Sequence, residues 1–509
     1  MITPRIAAFI LAICPGVLCA QTSWNQFRGP NGSGVASPEC KPPVNVGPDD
    51  VAWKTPVPPG LSAPVLAGER VFLTAFENKR LVTLALDRAS GKVLWRREAP
   101  EVPIESVHET SSPATPSPLA DEQRVIVYFG SFGLLCYDHD GKELWSRRIP
   151  VAKSLYGSAT SPIGFGENAI VVLDNDENLK DSKLSQSKVV AFKKSTGEPV
   201  WETARPFVRS GWSTPAVWEH TGGRELVVLG TGRATGYNAE TGEEKWHATG
   251  FSRETIAVPV IGNGKVFVAS AQLGGGADER IDPKPLWDAV MLFDANHDGK
   301  LERSEMTGHF TFPLRPELQP GHPGFGIPLA SDPAKRASQR DGMFASMDKD
   351  KDGFWTSEEF AASMAARQSK PVLMAIKPGG SGDVTGGSSV AWELRRNIPE
   401  VPSPLFHEGR LYLVRNGGMF AAADAETGAL LYSERLGADG QYGASPVAAN
   451  GHVYMVSNRG QITVAKAGVN FQRVHQFEIG ETVSVTPAID RDTLYIRTAE
   501  HLWAFRARK

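Results

Sequence analysis

The sequence predicts an all-β fold, an eight-bladed β-propeller with a small α-helical insertion in blade five. Three observations support this prediction: a repeated turn-and-aromatic phrase, a repeated proline phrase that opens a β-type run, and one unusually long interval. Self-similarity at 40–50 residues, with four short strands per unit, is typical of propellers. The 51 glycines and 37 prolines suit a chain of many tight turns rather than long helices.

The first phrase is a short apolar stretch, an Asp or a substitute, a glycine turn, and an aromatic residue four positions later. The turn is predicted to be a hairpin, because glycine adopts positive φ without steric cost. The aromatic residue then lies on the following strand, where it packs against the neighbouring unit. The phrase contains Trp95, Trp145, Trp201, Trp246 and Tyr432, and Trp53 and Trp392 belong to the same series of aromatic positions.

The second phrase is a small residue followed by proline, and an alternating β-type run comes after it. Eight occurrences predict eight blades: Ala63-Pro64, Ser117-Pro118, Ser161-Pro162, Thr214-Pro215, Val258-Pro259, Ser403-Pro404, Ser445-Pro446 and Thr486-Pro487. The last unit has only three strands, and strand 51–57 has no unit of its own. Joining the two closes the ring and removes two open sheet edges.

The interval from Trp246 to Trp392 spans 146 residues, whereas the others span 40–56. It contains two EF-hand loops, 294–305 and 348–359. In such loops alternate side chains point oxygens inward, a glycine allows the sharp turn, and a final Glu supplies two more oxygens for Ca²⁺. The predicted ligands are Asp294, Asn296, Asp298, Lys300 (carbonyl), Glu302, Glu305, Asp348, Asp350, Asp352, Phe354 (carbonyl), Thr356 and Glu359.

Flanking patterns predict helices over 285–293, 333–347 and 358–367. Leu301 and Trp355, at the eighth position of each loop, suit a short strand that pairs the two loops. We therefore expect an EF-hand pair with two Ca²⁺ sites. It is expected above the face of blade five where the long loop 174–187 of blade three also lies.

The residues just before each blade's first strand are expected to converge around the axial mouth of that face. A mixed polar ring of this kind suits a small polar ligand, although channel mouths are usually wet and polar in any case. The candidate ligand- or cofactor-binding residues are His108, Glu109, Tyr156, Arg209, Trp212, Arg253, Glu254 and Tyr442.

The repeat resembles that of quinoprotein-type propellers, in which a Thr-Gly-Lys-x-x-Trp phrase packs each blade's tryptophan on the next blade. The resemblance covers nearly all of 50–506 outside the insertion. It is strongest to secreted bacterial PQQ-like propeller proteins, with a distant similarity to the propeller subunit of the outer-membrane β-barrel assembly machinery. It implies the fold, whereas the same repeat also serves proteins that bind no quinone.

Three functions stay open at this point. The first is a non-catalytic, calcium-binding scaffold for an unknown envelope protein or a small polar ligand. The second is a PQQ-dependent quinoprotein dehydrogenase, for which the resemblance implies a catalytic Asp and often adjacent cysteines. The mature chain has no adjacent cysteines, and Asp174 and Asp176 are candidates by position alone, so PQQ is not favoured. The third is polysaccharide binding, which depends on exposed aromatic residues such as Trp212.

Residues 1–20 are predicted to be a signal peptide, because Arg5 precedes an apolar run and Ala20 offers a small residue for cleavage. We therefore expect a periplasmic or secreted protein whose mature chain has no transmembrane segment. Lys+Arg 54 against Asp+Glu 57 gives no field that attracts nucleic acid. Cys40 and Cys136 are either a disulfide pair or two separate thiols.

The predicted domain order follows from these signals. It is a signal peptide at 1–20, an N-terminal extension at 21–49, blades one to four and the start of five at 50–271, the EF-hand pair at 272–371, and the remaining blades at 372–506, closed by strand 51–57.

Overall fold

A computed structural model of the chain describes residues 24–507, except 155, 178–185, 207, 253, 272–282, 314–315, 317, 323–324, 368–370 and 439. The predicted signal peptide, Arg253 and the first residues of the predicted insertion lie outside the described residues. The described chain forms eight four-stranded antiparallel blades, and the sheet of blade 4 has a fifth, parallel strand at its outer edge. The predicted eight-bladed β-propeller is confirmed.

In every blade the strands run outward from a short, buried inner strand to a half-exposed outer strand. Blades 1 to 4 comprise Val65–Ala67, Arg70–Glu77, Arg80–Asp87, Val93–Glu98; Leu119–Ala120, Arg124–Phe129, Gly133–Asp138, Glu143–Arg148; Ile163–Phe165, Asn168–Leu173, Lys188–Lys193, Pro199–Ala204; and Ala216–His220, Gly223–Gly230, Arg233–Asn238, Glu244–Thr249. Blades 5 to 8 comprise Val260–Gly262, Lys265–Ser270, Val372–Ile376, Val390–Leu394; Leu405–His407, Arg410–Arg415, Met419–Asp424, Leu430–Arg435; Val447–Ala449, His452–Val456, Gln461–Lys466, Arg473–Glu478; and Ala488–Asp490, Thr493–Arg497, His501–Arg506, Val51–Pro56.

The ring closes between the two ends of the chain. Strand Val51–Pro56 pairs antiparallel with His501–Arg506 and so becomes the outer strand of blade 8. This strand comes from the start of the chain, whereas the other three strands of blade 8 come from its end. Unfolding of either end therefore opens the ring.

Tryptophans of the outer strands join neighbouring blades. Trp95 of blade 1 packs over Gly141 in the turn of blade 2, and its indole N–H donates to the His139 carbonyl at 2.9 Å. Gly141 has φ +81°, and a Cβ there would lie 2.7 Å from the Trp95 ring. The same packing joins Trp53 to Gly91, Trp145 to Gly197, Trp201 to Gly242 and Trp392 to Gly428. The glycine is therefore needed for both backbone conformation and space.

Trp246 of blade 4 departs from this pattern. Blade 5 has the longer loop 377–389 where the other blades have the tight glycine turn. Trp246 therefore has no turn glycine of the next blade to pack over. Its indole N–H instead donates to Glu225 of its own blade at 2.6 Å. A short strand from the blade 5 loop, Gly382–Asp383, pairs parallel with Trp246 and His247 and covers the outer edge of blade 4.

A ring of hydrogen bonds joins the inner strands at the proline phrases. The hydroxyl before each proline accepts the backbone N–H of the matching residue in the preceding blade. These bonds run from Ala63 to Ser117, Ser117 to Ser161, Ser161 to Thr214, Val258 to Ser403, Ser403 to Ser445 and Ser445 to Thr486, at 2.8–3.1 Å. Val258 has no hydroxyl, and there the Ser213 hydroxyl donates to the Ala257 carbonyl at 2.7 Å.

The N-terminal extension fills the axis of the propeller. Residues 24–36, called here the axial segment, hydrogen-bond to inner strands on opposite sides of the ring. Backbone and side-chain groups of this segment pair with Leu66 of blade 1, Ala120 of blade 2, Gly164 of blade 3, Val217 of blade 4, Pro404 beside blade 6 and Ala448 of blade 7. A thirteen-residue segment that reaches six blades must lie in the central channel.

The axial segment is buried, with Trp24 at 1% and Arg28 at 0% exposure. A short 3₁₀ turn, Pro30–Gly32, lies within it, and a second, Pro48–Asp50, precedes the closing strand. Both cysteines of the described chain are separate buried thiols, so the disulfide alternative is wrong. Burial in the blade 2 strand raises the pKa of the Cys136 thiol to about 12.

The long interval forms a helical insertion between Ser270 and Val372 of blade 5. Its helices are α1 (Pro283–Val290), followed by the 3₁₀ turn Met291–Phe293, then α2 (Pro333–Met347) and α3 (Ser357–Arg367). Two small ladders accompany them, Leu301–Glu302 with Phe354–Trp355, and Thr311–Pro313 with Gly326–Pro328. The insertion has an apolar core of its own, separate from the cores between the blades.

Candidate functional site

The first loop of the insertion, 294–305, holds an almost fully buried carboxylate. Asp294 is 6% exposed, and its Oδ2 accepts the Gly299 N–H at 2.9 Å. Its Oδ1 is buried and has no hydrogen-bond partner among the described residues. A buried, ionised oxygen without a partner is costly, and a bound cation offsets that cost.

Glu305 closes the same loop. One carboxylate oxygen accepts the N–H groups of Ala295 and Asn296, and the other accepts the Glu302 N–H at 2.8 Å. The carboxylate is therefore held across the loop, facing Asp294 from the opposite end. This is the position from which a twelfth-residue Glu gives two oxygens to Ca²⁺.

The second loop, 348–359, repeats this arrangement. Carboxylate oxygens of Asp348, Asp350 and Asp352 lie within 4.8 Å of one another, and Oδ1 of Asp348 also has no partner among the described residues. Glu359 accepts the N–H groups of Lys349 and Thr356. Burial raises the pKa of Glu359, but these hydrogen bonds lower it more, so the net shift is downward.

The two loops are joined by their short strands. Leu301 pairs with Trp355 and Glu302 with Phe354, which places the loops back to back. The ammonium of Lys300 in the first loop lies 4.5 Å from the centroid of the Phe354 ring in the second. The geometry of each loop therefore depends on the other. Together the paired loops present two separate groups of oxygen atoms.

At the mouth of the propeller, three of the predicted residues form an aromatic ladder: His108, Tyr156 and Trp212. The His108 and Tyr156 rings lie 4.9 Å apart, and Tyr156 meets Trp212 edge-on at 4.9 Å. Each residue comes from a different inter-blade loop, leading into blades 2, 3 and 4. Burial raises the pKa of Tyr156, and the nearby negative charge of Glu254 raises it further.

The expectation that Trp212 is an exposed aromatic residue is wrong. It is 7% exposed, and its indole N–H donates to the Gly157 carbonyl at 3.0 Å. The ring is covered because Tyr156 lies against it, so it offers no open face for a sugar ring. The observation on which polysaccharide binding depends is therefore removed.

Tyr442 lies apart from the ladder. It is 1% exposed in the core between blades 6 and 7, and its backbone N–H donates to Asn416. It faces protein rather than the mouth, because the loop leading into blade 7 turns its ring inward. His108 and Glu109 are exposed, and Arg209 and Glu254 are half-buried.

Asp174 and Asp176 do not fit the role of a catalytic base. Asp174 is buried against Arg205, whose Nε donates to its carboxylate at 2.9 Å. Burial raises the pKa of Asp174 to about 6, and the charge of Arg205 opposes that rise. Asp176 accepts the backbone N–H and the hydroxyl of Ser210. Both acids are therefore committed to holding inter-blade loops.

The described mouth residues also do not fit a quinone cofactor. The cavity beneath the ladder, between Tyr128, Ser158 and Asp174, has room for about one water molecule. A tricyclic quinone needs a flat slot between planar groups, and here Tyr156 meets Trp212 edge-on. No reaction step through PQQ follows from these residues.

Arg205, which organises this region, was not predicted from the sequence. It pairs with an acid 31 positions earlier in the chain, and no local motif marks it. Its position in the chain was the one sequence feature that could have identified it. Arg205 directly follows the outer strand of blade 3, and the predicted mouth residues likewise follow outer strands.

The fold and the site define an eight-bladed propeller of the quinoprotein-repeat type that has a paired, acidic-loop insertion and a closed axial channel. The chain belongs to the family described as outer membrane protein assembly factor BamB, whose model matches residues 48–161, 185–284 and 381–509. The unmatched interval 285–380 contains both acidic loops and most of the insertion. No curated protein sequence matches the chain.

Solved structures align with the chain at low identity, and those with TM-scores above 0.5 have the same fold. BamB from Moraxella catarrhalis aligns over 90% of this chain and 99% of its own, with 11% identity and a TM-score of 0.48. Quinohemoprotein alcohol dehydrogenase from Comamonas testosteroni aligns over 96% of this chain and 81% of its own, with 12% identity and a TM-score of 0.54. A europium-containing methanol dehydrogenase aligns over 96% and 98%, with 10% identity and a TM-score of 0.52. Among the described residues, no helix is long and apolar enough to cross a bilayer.

Proposed function

We propose that this protein is an exported calcium-binding propeller that acts as a non-catalytic scaffold for a protein partner in the cell envelope. Calcium binding carries the proposal, and the observation behind it is Asp294, which is 6% exposed and whose Oδ1 has no hydrogen-bond partner among the described residues. A matching set of carboxylates in the second loop supports a second ion. The spacing of both loops is that of oxygen ligands for Ca²⁺ rather than for a softer metal.

A scaffold role is favoured over catalysis because the acids near the mouth are already occupied. Asp174 and Asp176 hold loops, and the axial segment fills the channel. The family matched by the chain is named for outer-membrane protein assembly, which points to a protein partner in the envelope. Export is supported by the leader-like residues 1–20 and by the same family name.

Calorimetry with Ca²⁺ tests the metal sites. The native chain, stripped of metal with a chelator, is expected to bind two ions per chain. Glu305→Gln together with Glu359→Gln is expected to abolish binding, because each change removes a bidentate ligand and its charge. Glu358→Gln is the matched control, since it removes the same charge one position away on an exposed side chain and is expected to bind normally.

Equal binding by the double variant and the native chain would refute the assignment of these loops. The circular dichroism of the native chain and both variants should be the same β-rich spectrum, which shows that the propeller is intact. Binding is also expected to weaken at low pH, because the carboxylate ligands must be ionised.

Affinity capture from an envelope extract tests the scaffold role. The native protein is expected to retain a protein partner that an unrelated propeller of the same size, used as the bait control, does not retain. If capture in Ca²⁺ and in chelator both match the control bait, the scaffold proposal is wrong.

A further inference from the structure

The insertion fills its apolar core with a hairpin of its own. After the first calcium loop, residues 303–310 form turns rather than a helix, and the chain then enters strands Thr311–Pro313 and Gly326–Pro328. This hairpin occupies the place where a paired helix–loop–helix unit has its second helix. Its buried side chains include Phe310, Phe312 and Leu329, at 0%, 8% and 6% exposure.

The hairpin contacts each of the structural parts that surround the loops. The Phe312 ring lies 6.2 Å from Phe360 of α3, and the Phe310 ring lies 5.0 Å from Phe293 beside α1. Phe310 also meets Trp355 of the second loop edge-on at 6.3 Å. The space between α1 and α3 is thus occupied by aromatic rings from the same chain.

In calcium sensors, binding opens a helix pair and exposes an apolar groove that takes a partner helix. Opening of that kind exposes the side chains that line the groove. Here the hairpin covers the equivalent surfaces of α1 and α3. The rings of Trp287 and Phe360 also contact each other directly, with 5.4 Å between their centroids. Opening would therefore have to break several aromatic contacts, which are favourable beyond the area that the rings bury.

We propose that calcium holds this insertion permanently closed, so that the metal braces the module and does not create a docking groove. The inference rests on the proposed calcium binding of the two loops. It follows that a partner docks on the propeller or on the outer surface of the module, and that calcium affects docking only through the stability of the insertion.

Fluorescence of an apolar dye, anilinonaphthalene sulfonate, tests the closed state on the full mature chain. Calorimetry on the same sample establishes whether two Ca²⁺ ions are bound. With both ions bound, dye fluorescence is expected to equal or fall below that of the metal-free chain. A several-fold rise that saturates at two equivalents would overturn the closed state while leaving calcium binding intact. Absence of any calcium binding would overturn the proposed function and, with it, this inference.

Two hairpin variants probe the cause of closure. Phe312→Ser removes a buried ring, whereas Ile327→Ser, at a side chain 48% exposed on the same hairpin, is the matched control. Phe312→Ser is expected either to gain a calcium-dependent rise in dye fluorescence or to bind calcium more weakly, and Ile327→Ser is expected to behave as native. Native behaviour of Phe312→Ser in both measurements would show that the hairpin does not close the module.

Discussion

Glu481 is the single side chain that ties the closing strand most directly to blade 8. Its carboxylate accepts the Lys54 ammonium of the closing strand at 2.8 Å, together with the His501 ring N–H at 3.0 Å and the Thr498 hydroxyl. Lys54 also lies 4.2 Å from the centroid of the Trp503 ring. Burial raises the pKa of Glu481, but these donors outweigh it and lower the pKa from 4.5 to about 2.

Because the pKa of the folded state is below that of the unfolded state, Glu481 stabilises the fold above pH 4.5, and this contribution is lost as pH falls towards 2. Glu481→Gln is therefore expected to lower the free energy of unfolding at pH 7 by about 1–2 kcal/mol, allowing for solvent screening. Denaturant melts at pH 7 and pH 2.5 measure this. The loss should be several-fold smaller at pH 2.5, where Glu481 of the folded state is still partly ionised, and the exposed Glu478→Gln should show no loss at either pH.

At the scale of single residues, the sequence says most about the acidic loops 294–305 and 348–359, where calcium binding stays a prediction. Every proposed ligand of a loop lies within twelve positions, so spacing alone predicts which oxygens face inward. The pair of Asp174 and Arg205 shows the opposite case. Nothing between residues 174 and 205 signals that the two side chains meet, because their contact depends on how blade 3 folds.

At the scale of elements, the joint between an outer-strand tryptophan and the next blade's glycine turn repeats around the ring. The repeat was predictable because one local phrase contains both the turn and the aromatic residue. The exception at Trp246 was not predictable, since it depends on what the next blade offers. Blade 5 supplies a longer loop, and a parallel strand replaces the tryptophan joint.

Gly141→Ala tests this joint. The substitution is expected to destabilise the protein by about 2–4 kcal/mol, the sum of positive-φ strain and overlap with the Trp95 ring. Gly264→Ala is the matched control, because Gly264 has φ +70° but has no atom within 4 Å of the added Cβ. The control should lose about 1 kcal/mol. Equal losses in thermal or denaturant unfolding would show that the tryptophan contributes nothing to the joint.

At the scale of the whole molecule, the axial segment links blades that are far apart in the sequence. Its hydrogen bonds reach six different blades, so the segment ties the ring together from within. This role could not be predicted, because residues 24–36 have neither periodicity nor a repeat. Their partners are placed by the closed ring, which exists only once all eight blades have folded.

A chain that begins at Ser37 instead of Gln21, the residue after the predicted cleavage site, tests the axial segment. Loss of its buried hydrogen bonds, each contributing about 1 kcal/mol, is expected to lower the melting temperature by roughly 5 °C or more. Differential scanning calorimetry of the two chains measures the difference. An unchanged melting temperature would mean that the segment does not stabilise the ring.

The central claim is that two calcium ions bind in the loops 294–305 and 348–359. X-ray diffraction from crystals grown with Ca²⁺, collected at a long wavelength where calcium scatters anomalously, tests it most directly. Two anomalous peaks are expected, one beside the unpartnered Oδ1 of Asp294 and one beside that of Asp348, each within 2.3–2.6 Å of oxygen ligands. Crystals that show no peak in either loop at millimolar Ca²⁺ would contradict the claim.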